Sequence, residues 1–285
     1  MCYNVKDFLC NGVIIMLKGK FAFLGTGNMA GAIIRSMQSG YSPENIVLFD
    51  KDTTKYDPYR AEGFVLAESA PMAVAEADFI FLSVKPQNFT ELLTEIKESG
   101  VELKNKTFIS IAAGITTDFV CDKLGQKVAV IRTMPNTPLL VGKGVTALTK
   151  NEYVNEKVFK NICAVFAASG TSFTLPEEKM NDIIAVTSSS PAYVFLFIKS
   201  IYDAASEMGF DNKDLLEIIC KMVIGSTELL LKSGKTPDEL IAMVKSPKGT
   251  TEQALNVFCE NDLEGIVKKA MLKCSERAEE LSRGM

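Results

Sequence analysis

The sequence contains no histidine among its 285 residues, and this absence removes several kinds of active site. Acid–base catalysis by imidazole, a Ser-His-Asp triad and a histidine-ligated metal are all excluded. Any proton used in catalysis must therefore come from a hydroxyl group, a lysine, a carboxylic acid, a cysteine or water. We expect no metal site.

The sequence also lacks paired cysteines, an excess of basic residues and long apolar runs. Its seven cysteines form no CxxC pair, so we expect reduced thiols and a cytoplasmic protein. The net charge of -4 gives no electrostatic reason to expect a nucleic-acid partner. No apolar run reaches the length of about 18 residues that a membrane span needs, so we expect no membrane partner. Residues 1–18 do not have the pattern of a signal peptide, and we predict that they form an N-terminal extension.

Short apolar runs alternate with helical patterns between residues 20 and 149. The runs predict buried strands at 21–24, 46–49, 79–82, 108–111 and 128–131. The segments between them predict helices at 30–38, 72–77, 89–98 and 117–124. Continuous apolar strands that alternate with helices are typical of βαβ units with a sheet covered on both faces. We therefore predict an α/β fold, with a Rossmann-like doubly wound sheet that forms a dinucleotide-binding domain over residues 19–174.

The pattern from residue 175 to residue 285 predicts an all-helical C-terminal domain. Its helices are predicted at 192–208, 214–232, 237–244, 251–259 and 263–282. The run at 193–198 is apolar on more than one helical face, which is typical of a large core or an oligomer interface. A small helical domain has little interior, so we expect a homodimer or a higher homo-oligomer formed through this domain, which also binds the substrate.

A glycine-rich turn follows the first predicted strand and reads GTGNMA at residues 25–30. Gly25 would allow the tight turn, Gly27 would let the backbone approach a pyrophosphate, and Ala30 would let the helix pack closely. Asn28 and Met29 open the predicted helix, whose free N–H groups favour a phosphate. The motif therefore predicts a dinucleotide cofactor bound by Gly25, Gly27, Asn28 and Met29.

Asp50 ends the second predicted strand, 25 residues after Gly25. A carboxylate there would accept hydrogen bonds from the adenosine ribose and repel a 2′-phosphate, which favours NADH. The neighbouring Lys51 would soften that repulsion, and Asp50 can also be read as a solvent-facing turn residue. The choice between NADPH and NADH stays open at this point.

The other predicted strands also end in small or polar residues, where open α/β sheets bind their ligands. These residues are Ser83, Val84, Lys85, Pro86, Ala112, Met134 and Asn136. Lys85 and Asn136 are placed to meet a nicotinamide or a substrate. The alternative is structural, because Asn136 lies between prolines and suits a turn, and a single lysine is usually solvated.

Two predicted helix starts in the C-terminal half are rich in hydroxyl groups, at residues 187–193 and 246–251. Serine, threonine and proline are common at helix starts, so both segments can be plain N-caps. A helix N-terminus can also hold a carboxylate, and a threonine hydroxyl can donate to a substrate nitrogen.

Four motifs follow one another along the chain: SVKPQNF, IRTMPNTPLLVGKGVTAL, SSSPAYVFLFI and MVKSPKGTT. In their order and spacing they resemble the pyrroline-5-carboxylate reductase family, from residue 20 to the C-terminus. The resemblance implies reduction of the cyclic imine 1-pyrroline-5-carboxylate to L-proline, the last step of proline biosynthesis, by hydride transfer from NADPH or NADH. It also implies intertwined helical domains, with each substrate site built from two chains.

The same resemblance implies roles for individual residues. The backbone of Gly249, Thr250 and Thr251 would hold the substrate carboxylate, and the Thr251 hydroxyl would face the ring nitrogen. Ser246 would support that loop, and together with Lys85 these residues are the catalytic candidates. The nicotinamide side would be lined by Ser83, Val84, Lys85, Ala112, Met134 and Asn136.

The chain departs from the family pattern at two positions, Ser188 and Lys248, where glycine is common. A lysine would be strained if position 248 needs a positive φ, and otherwise its charge would assist carboxylate binding. Two other functions stay open. One is a β-hydroxyacid dehydrogenase that uses Lys199 as its acid or base, and the other is a non-catalytic nucleotide-binding protein with an altered pocket.

Overall fold

The computed structural model of the chain describes residues 17–210 and 213–283. The predicted extension, residues 1–18, lies outside the described residues except for its last two positions. The chain forms two compact units. The first consists of the chain up to Ser189 together with the segment from Cys274 onwards, and the second is Ser190–Lys273. The predicted domain boundary after residue 174 stays a prediction. The compact units divide later because Met180 and Ile184 pack against Met134 and Phe173.

The first unit is built on one sheet of eight strands in the order β3-β2-β1-β4-β5-β6-β7-β8. The strands are β1 (Phe21–Leu24), β2 (Ile46–Phe49), β3 (Val65–Leu66), β4 (Phe79–Leu82), β5 (Thr107–Ser110), β6 (Ala129–Met134), β7 (Gly144–Lys150) and β8 (Gly170–Thr174). The first six are parallel, β7 is antiparallel to β6, and β8 is parallel to β7. The predicted doubly wound α/β fold is confirmed.

Five helices cover the two faces of this sheet. They are α1 (Asn28–Met37), α2 (Ala70–Glu76), α3 (Phe89–Glu98), α4 (Thr117–Leu124) and α5 (Glu156–Ala167). Side chains alternate along each strand, so Phe21 and Phe23 of β1 face a core shared with α1 and α5, whereas Ala22 and Leu24 face the core of α2, α3 and α4. Both faces of β1 are therefore buried, which explains its continuous apolar run.

The predicted elements agree with the structure where apolar runs are long and end in turn residues. The bounds of β1, β2, β4, α3 and α4 match the predictions, while α1 begins two residues earlier than predicted, at Asn28. The sequence pattern does not predict β3, β7, β8 or α5. β7 reads GVTALTK, in which polar and small residues interrupt the apolar run on an otherwise buried strand.

The second unit is helical throughout its described residues. It contains α6 (Ser190–Glu207), α7 (Leu215–Ser233), α8 (Pro237–Val244), α9 (Thr250–Glu260) and the first part of α10 (Leu263–Arg283). α8 begins with a capping box, in which Thr236 accepts from the Glu239 amide and Glu239 accepts from the Thr236 amide.

The helix α6 presents large apolar side chains to solvent in the single chain. Phe195 and Leu196 are 61% and 64% exposed, and Phe197 is also exposed. The continuous helical stretch Ile184–Glu207 is long and apolar enough to cross a membrane by length and composition. The sequence pattern does not predict such a span, because the polar residues before Ser190 interrupt the apolar run.

The last part of α10 returns to the first unit. The Ser275 hydroxyl donates to an Asp182 carboxylate oxygen at 2.6 Å, and the Asn181 amide donates to the Ser282 hydroxyl at 3.1 Å. Ala278 joins the apolar cluster that contains Met134. We call these contacts the C-terminal clasp.

Candidate functional site

The glycine turn joins β1 to α1 in the geometry that a dinucleotide site needs. Gly25 has φ 101°, and a Cβ atom there would lie 2.8 Å from the backbone carbonyl carbon and oxygen of Ser83. Gly27 is the N-cap of α1 and has no side-chain cap, and a Cβ atom on it would meet no atom of the described residues within 4 Å. Position 25 therefore requires glycine for the turn itself, whereas Gly27 keeps the space before the helix N-terminus open.

The residues that follow Gly27 have different environments. Asn28 is exposed at the first turn of α1, and Met29 is half-buried against the core. Ala30 is buried, which agrees with the close helix packing that the motif predicts. Asn28 and Met29 contribute their backbone N–H groups to the start of α1, as the predicted phosphate site needs.

Asp50 lies at the end of β2 with its carboxylate directed into the protein. Oδ2 accepts from the Thr26 amide at 2.8 Å, and Oδ1 accepts from the Asp52 amide at 3.0 Å. The Lys55 ammonium is 3.0 Å from Oδ1 and 3.2 Å from Oδ2. Asp50 is 9% exposed and lines the cavity at the end of β2, and its contact with the adenosine ribose stays a prediction.

The hydrogen bonds to Asp50 also determine its ionisation. Burial works to raise the pKa of Asp50, but the amides of Thr26 and Asp52 and the Lys55 ammonium together hold it below its ordinary value. The dinucleotide motif does not identify Thr26 or Lys55 as partners of Asp50. Thr26 occupies a variable position of the motif, and Lys55 reaches Asp50 through the short 3-10 helix Thr53–Tyr56.

The segment Ser83–Pro86 follows β4 at the same edge of the sheet as the glycine turn. Its backbone continues the strand pairing, since the Ser83 amide donates to the Leu24 carbonyl at 2.9 Å. The Ser83 Oγ is buried and has no hydrogen-bond partner among the described residues. Val84 is half-buried, and Lys85 is exposed ahead of the turn that begins at Pro86. A buried hydroxyl without a partner is unusual, and it marks a place where a ligand can supply one.

Asn136 has a structural role in the described chain. Its Oδ1 accepts from the Val145 amide at 2.8 Å, and its Nδ2 donates to the Thr187 carbonyl at 3.0 Å. Met134, at the end of β6, and Ala112, after β5, are both buried. Asn136 thus connects β7 to the π-helical turn Ile184–Ser188, which agrees with the structural alternative left open by the sequence.

Two cavities open beside these residues. One, of about 900 Å³, is lined by Thr26, Gly27 and Asn28 together with Arg35 and Tyr59. The other, of about 450 Å³, lies at the end of β2. It is lined by Phe49, Asp50, Lys51, Thr53, Tyr56 and Arg60, among others. The first unit therefore brings together the predicted cofactor residues of the glycine turn and offers space next to them.

The second unit places Ser246 and Gly249 in the turn before α9, and Thr250 and Thr251 are the first two residues of that helix. The Gly249 amide donates to the Ser246 carbonyl at 2.9 Å, and a Cβ atom on Gly249 would lie 2.1 Å from the Ser246 Oγ. Gly249 is the N-cap of α9 and supplies no side-chain cap, while the Glu252 carboxylate accepts from the Lys248 amide just before it. The predicted substrate residues therefore border a helix N-terminus whose N–H groups suit an anion.

Lys248 precedes this helix in a left-handed conformation, with φ 58°. The position thus has the positive φ that glycine tolerates best, and lysine is strained there. The Lys248 amide donates to the Glu252 carboxylate at 2.7 Å, which stabilises the turn. The other departure, Ser188, places a buried hydroxyl without a hydrogen-bond partner among the described residues at the end of the π-helical turn.

Lys199, the residue on which the hydroxyacid dehydrogenase alternative depends, is 68% exposed and pairs with Asp203 one turn along α6. This is the geometry of a solvated helix pair and gives no support to a catalytic acid or base. Within the described residues, no group of three or more cysteine, aspartate and glutamate side chains is arranged to hold a metal ion.

An ion pair between the buried Arg132 and the partly exposed Glu177 is not predicted by the sequence pattern. Arg132 of β6 is 1% exposed, and its guanidinium is 3.6 Å from Glu177 and donates to Asn181 at 2.6 Å. Glu177 accepts from the amide and the hydroxyl of Thr117 at 2.8 and 2.6 Å. Burial lowers the pKa of Arg132, while Glu177 opposes that shift. The pair connects β6, α4 and the C-terminal clasp.

Comparison with known proteins relates both units to one family. Residues 177–281 match the family model described as pyrroline-5-carboxylate reductase dimerisation. Residues 20–114 match the model described as NADP oxidoreductase, coenzyme F420-dependent. The chain is 36% identical over 273 residues to the pyrroline-5-carboxylate reductase of Escherichia coli strain K12, which covers 94% of this chain and 100% of the relative.

Solved structures give the same result. The pyrroline carboxylate reductase of Plasmodium falciparum with NADP bound has a TM-score of 0.85 at 26% identity, covering 94% of this chain and 99% of that one. The pyrroline-5-carboxylate reductase of Coxiella burnetii has a TM-score of 0.82 at 30% identity, covering 93% of this chain and 99% of that one. The similarity therefore spans nearly the whole length of each protein.

Proposed function

Because the chain belongs to the pyrroline-5-carboxylate reductase family, we propose that it reduces 1-pyrroline-5-carboxylate to L-proline with NADPH or NADH. The observation that carries the proposal is the uncapped N-terminus of α1 behind Gly27, in a chain that matches this family over both units. The reaction would be the last step of proline biosynthesis. We place it in the cytoplasm, because the scattered cysteines fit a reducing compartment.

The residues of the first unit fit a nicotinamide dinucleotide. The open space at Gly27 admits a pyrophosphate to the first N–H groups of α1, next to Asn28 and Met29. The buried Ser83 hydroxyl lacks a partner that a bound cofactor would supply. Val84, Lys85, Pro86, Ala112 and Met134 would line the nicotinamide side, and Asn136 would support it from behind. When bound, the cofactor supplies the hydride.

The residues of the second unit fit the substrate carboxylate. The N–H groups of Thr250 and Thr251 stand at the N-terminus of α9 next to Gly249, which supplies no capping side chain, and the helix dipole favours an anion there. Ser246 supports this turn, since its backbone carbonyl accepts a hydrogen bond from the Gly249 amide. The Thr251 hydroxyl would donate to the ring nitrogen, which makes the imine carbon more electrophilic.

The chemistry requires one hydride and one proton. The hydride forms a new bond to the imine carbon while the π electrons of the C=N bond move to the nitrogen, which holds or receives a proton. The Thr251 hydroxyl orients that nitrogen, and Lys85 would contribute positive charge and a route for the proton. Since alignment and a hydroxyl donor are sufficient, the absence of histidine is no obstacle.

We further propose that the enzyme is a homodimer or a larger homo-oligomer formed through the helical unit. The support is the match of residues 177–281 to a dimerisation model and the exposed apolar side chains of α6, including Phe195 and Leu196. A contiguous apolar surface of this kind is typical of an interface between subunits. A second chain on α6 would account for the apolar stretch Ile184–Glu207 without a membrane. Substrate residues of one subunit would then meet the cofactor of another.

The proposal is tested by an assay in which the purified protein oxidises NADPH or NADH when given the imine. Thr251→Val removes the hydroxyl at nearly constant volume and should lower kcat/KM about tenfold or more, equivalent to about 1.4 kcal/mol. Thr251→Ser keeps the hydroxyl and should retain most of the activity. Absence of turnover with both cofactors in folded wild-type protein would refute the function. Equal kcat/KM values for Thr251→Val and Thr251→Ser would contradict a role of the Thr251 hydroxyl in the reaction.

A further inference from the structure

We infer that Lys55 is a specificity-determining residue that controls the choice between NADPH and NADH by neutralising Asp50. The inference rests on the proposed function, since it concerns the cofactor of that reaction. It is carried by the ammonium of Lys55, which lies 3.0 and 3.2 Å from the two Asp50 carboxylate oxygens.

A carboxylate at the end of β2 ordinarily accepts from the adenosine ribose and repels a 2′-phosphate. Asp50 stands at this position, but its oxygens already accept from the Thr26 amide, the Asp52 amide and Lys55. The Thr26 hydroxyl is a further donor, at 3.2 Å from Oδ2. Asp50 thus has little acceptor capacity left for a ribose, although its sequence position suggests that role.

The partners of Asp50 differ in how they affect its charge. The two amides are neutral and belong to turns whose backbone is held in place, and the Thr26 hydroxyl is neutral as well. Lys55 is the one cation that the described part of the chain places on Asp50, and its side chain is 43% exposed. Removing the Lys55 charge therefore changes the net charge at the end of β2 without changing the backbone of either turn.

The other cations near the end of β2 already have partners of their own. The Lys51 ammonium is 2.7 Å from Glu91, and the Arg60 guanidinium is 3.3 Å from Asp57. Both pairs are well exposed and are screened by solvent. Lys51 and Arg60 line the cavity of about 450 Å³ together with Asp50, whereas Lys55 lines the neighbouring cavity of about 900 Å³. Of these three cations, Lys55 is the one whose ammonium contacts the Asp50 carboxylate, so it is the group that offsets the Asp50 charge.

The two cofactors should respond differently to this arrangement. A 2′-phosphate carries negative charge, so it benefits when Lys55 cancels the repulsion from Asp50. NADH carries no such group and gains little from Asp50, whose oxygens are occupied. We therefore expect the wild-type protein to bind NADPH at least as tightly as NADH.

The test measures dissociation constants for NADPH and NADH by isothermal titration calorimetry, in the full chain and without substrate. Lys55→Met keeps an aliphatic side chain and removes the charge, and it should weaken NADPH binding about tenfold while changing NADH binding less than about twofold. Lys55→Arg should retain the wild-type ratio. The double variant Asp50→Asn/Lys55→Met should recover NADPH binding, because the charge that Lys55 offsets is gone.

Two controls make the result specific. Lys104→Met removes the same charge ahead of β5, at the opposite edge of the sheet, and should leave both dissociation constants unchanged. Thermal unfolding verifies that each variant is folded, and Lys55→Gln replaces Lys55→Met if the latter is not. If Lys55→Met changed the affinities for NADPH and NADH equally, the inference would be overturned. A double variant that still fails to bind NADPH would also overturn it, because that result would indicate a direct contact between Lys55 and the 2′-phosphate.

The failure of this inference can be told apart from the failure of the proposed function. Wild-type protein that binds neither cofactor would refute both. Wild-type protein that binds a cofactor and reduces the imine, but whose NADPH-to-NADH ratio is unaltered in the charge-removing variant, would overturn the role of Lys55 alone.

Discussion

Replacing Gly25 by alanine tests the distinct roles of the two glycines in the β1–α1 turn. The new Cβ atom would lie 2.8 Å from the backbone carbonyl of Ser83, and the residue would keep φ 101°. A left-handed L-residue alone costs about 1–2 kcal/mol, and a clash with backbone adds to it. We expect a loss of about 3 kcal/mol, which lowers Tm by roughly 6–12 °C in a domain of this size.

Gly27→Ala provides the matched control within the same motif. Gly27 has φ -67° and ψ 179°, which alanine adopts readily, and its Cβ would point into open space. Replacing an N-cap glycine by alanine should lower Tm by less than about 4 °C. The methyl group would nevertheless occupy the approach to the first N–H groups of α1, so the dissociation constant for NADPH should rise about tenfold or more.

The assay combines differential scanning calorimetry with a titration of NADPH on each variant at 25 °C. Gly25→Ala should be the less stable protein, whereas Gly27→Ala should be nearly as stable as the wild type and yet bind NADPH poorly. Equal Tm values for the two variants would refute the steric explanation of Gly25. Unchanged affinity in Gly27→Ala would refute the assignment of that position to the pyrophosphate.

Three further predictions concern stability, each measured by thermal unfolding. Lys248→Gly should be more stable than Lys248→Ala by about 1 kcal/mol, since φ 58° favours glycine, and the reverse order would contradict the strain. Asn136→Ala should lose about 2 kcal/mol or more, because the Val145 amide and the Thr187 carbonyl lose their partner, and a neutral effect would argue against these bonds. Ser275→Ala should destabilise the protein at pH 7 and have a smaller effect well below pH ~4. The hydrogen bond from Ser275 lowers the pKa of Asp182 in the folded protein. This hydrogen bond therefore stabilises the fold above the pKa that Asp182 has in the unfolded chain, and the stabilisation is lost as pH falls through the pKa of Asp182 in the folded protein. A destabilisation that does not depend on pH would contradict this prediction.

The sequence predicts the parts of the fold in which local pattern and burial agree. Strands such as β1 are buried on both faces and bounded by turn residues, so their apolar runs identify them directly. β7 lies beside β6 in an antiparallel pair, and its interrupted pattern carries no comparable signal. Its burial depends on β8 and α5, which become neighbours only once the chain has folded.

The candidate site follows the same rule. Gly25 and Gly27 are predicted from a local motif, because the turn geometry depends on residues adjacent in sequence. The position of Asp50 at the end of β2 favours a ribose contact, but its environment depends on Thr26 and Lys55, which only the folded turns bring together. The sequence leaves open whether position 248 has a positive φ, and the structure gives Lys248 a φ of 58°.

The C-terminal clasp makes the helical unit an insertion within the first unit rather than an appendage to its end. A chain truncated after Ser189 would lose Ala278 from the cluster around Met134 and would leave Asp182 without the Ser275 hydroxyl. We therefore expect the nucleotide-binding unit to fold by itself when Ser190–Lys273 is excised and the two ends are joined by a short linker. Simple C-terminal deletion would expose the apolar cluster around Met134, which the intact polypeptide covers with Cys274 and Ala278 of α10.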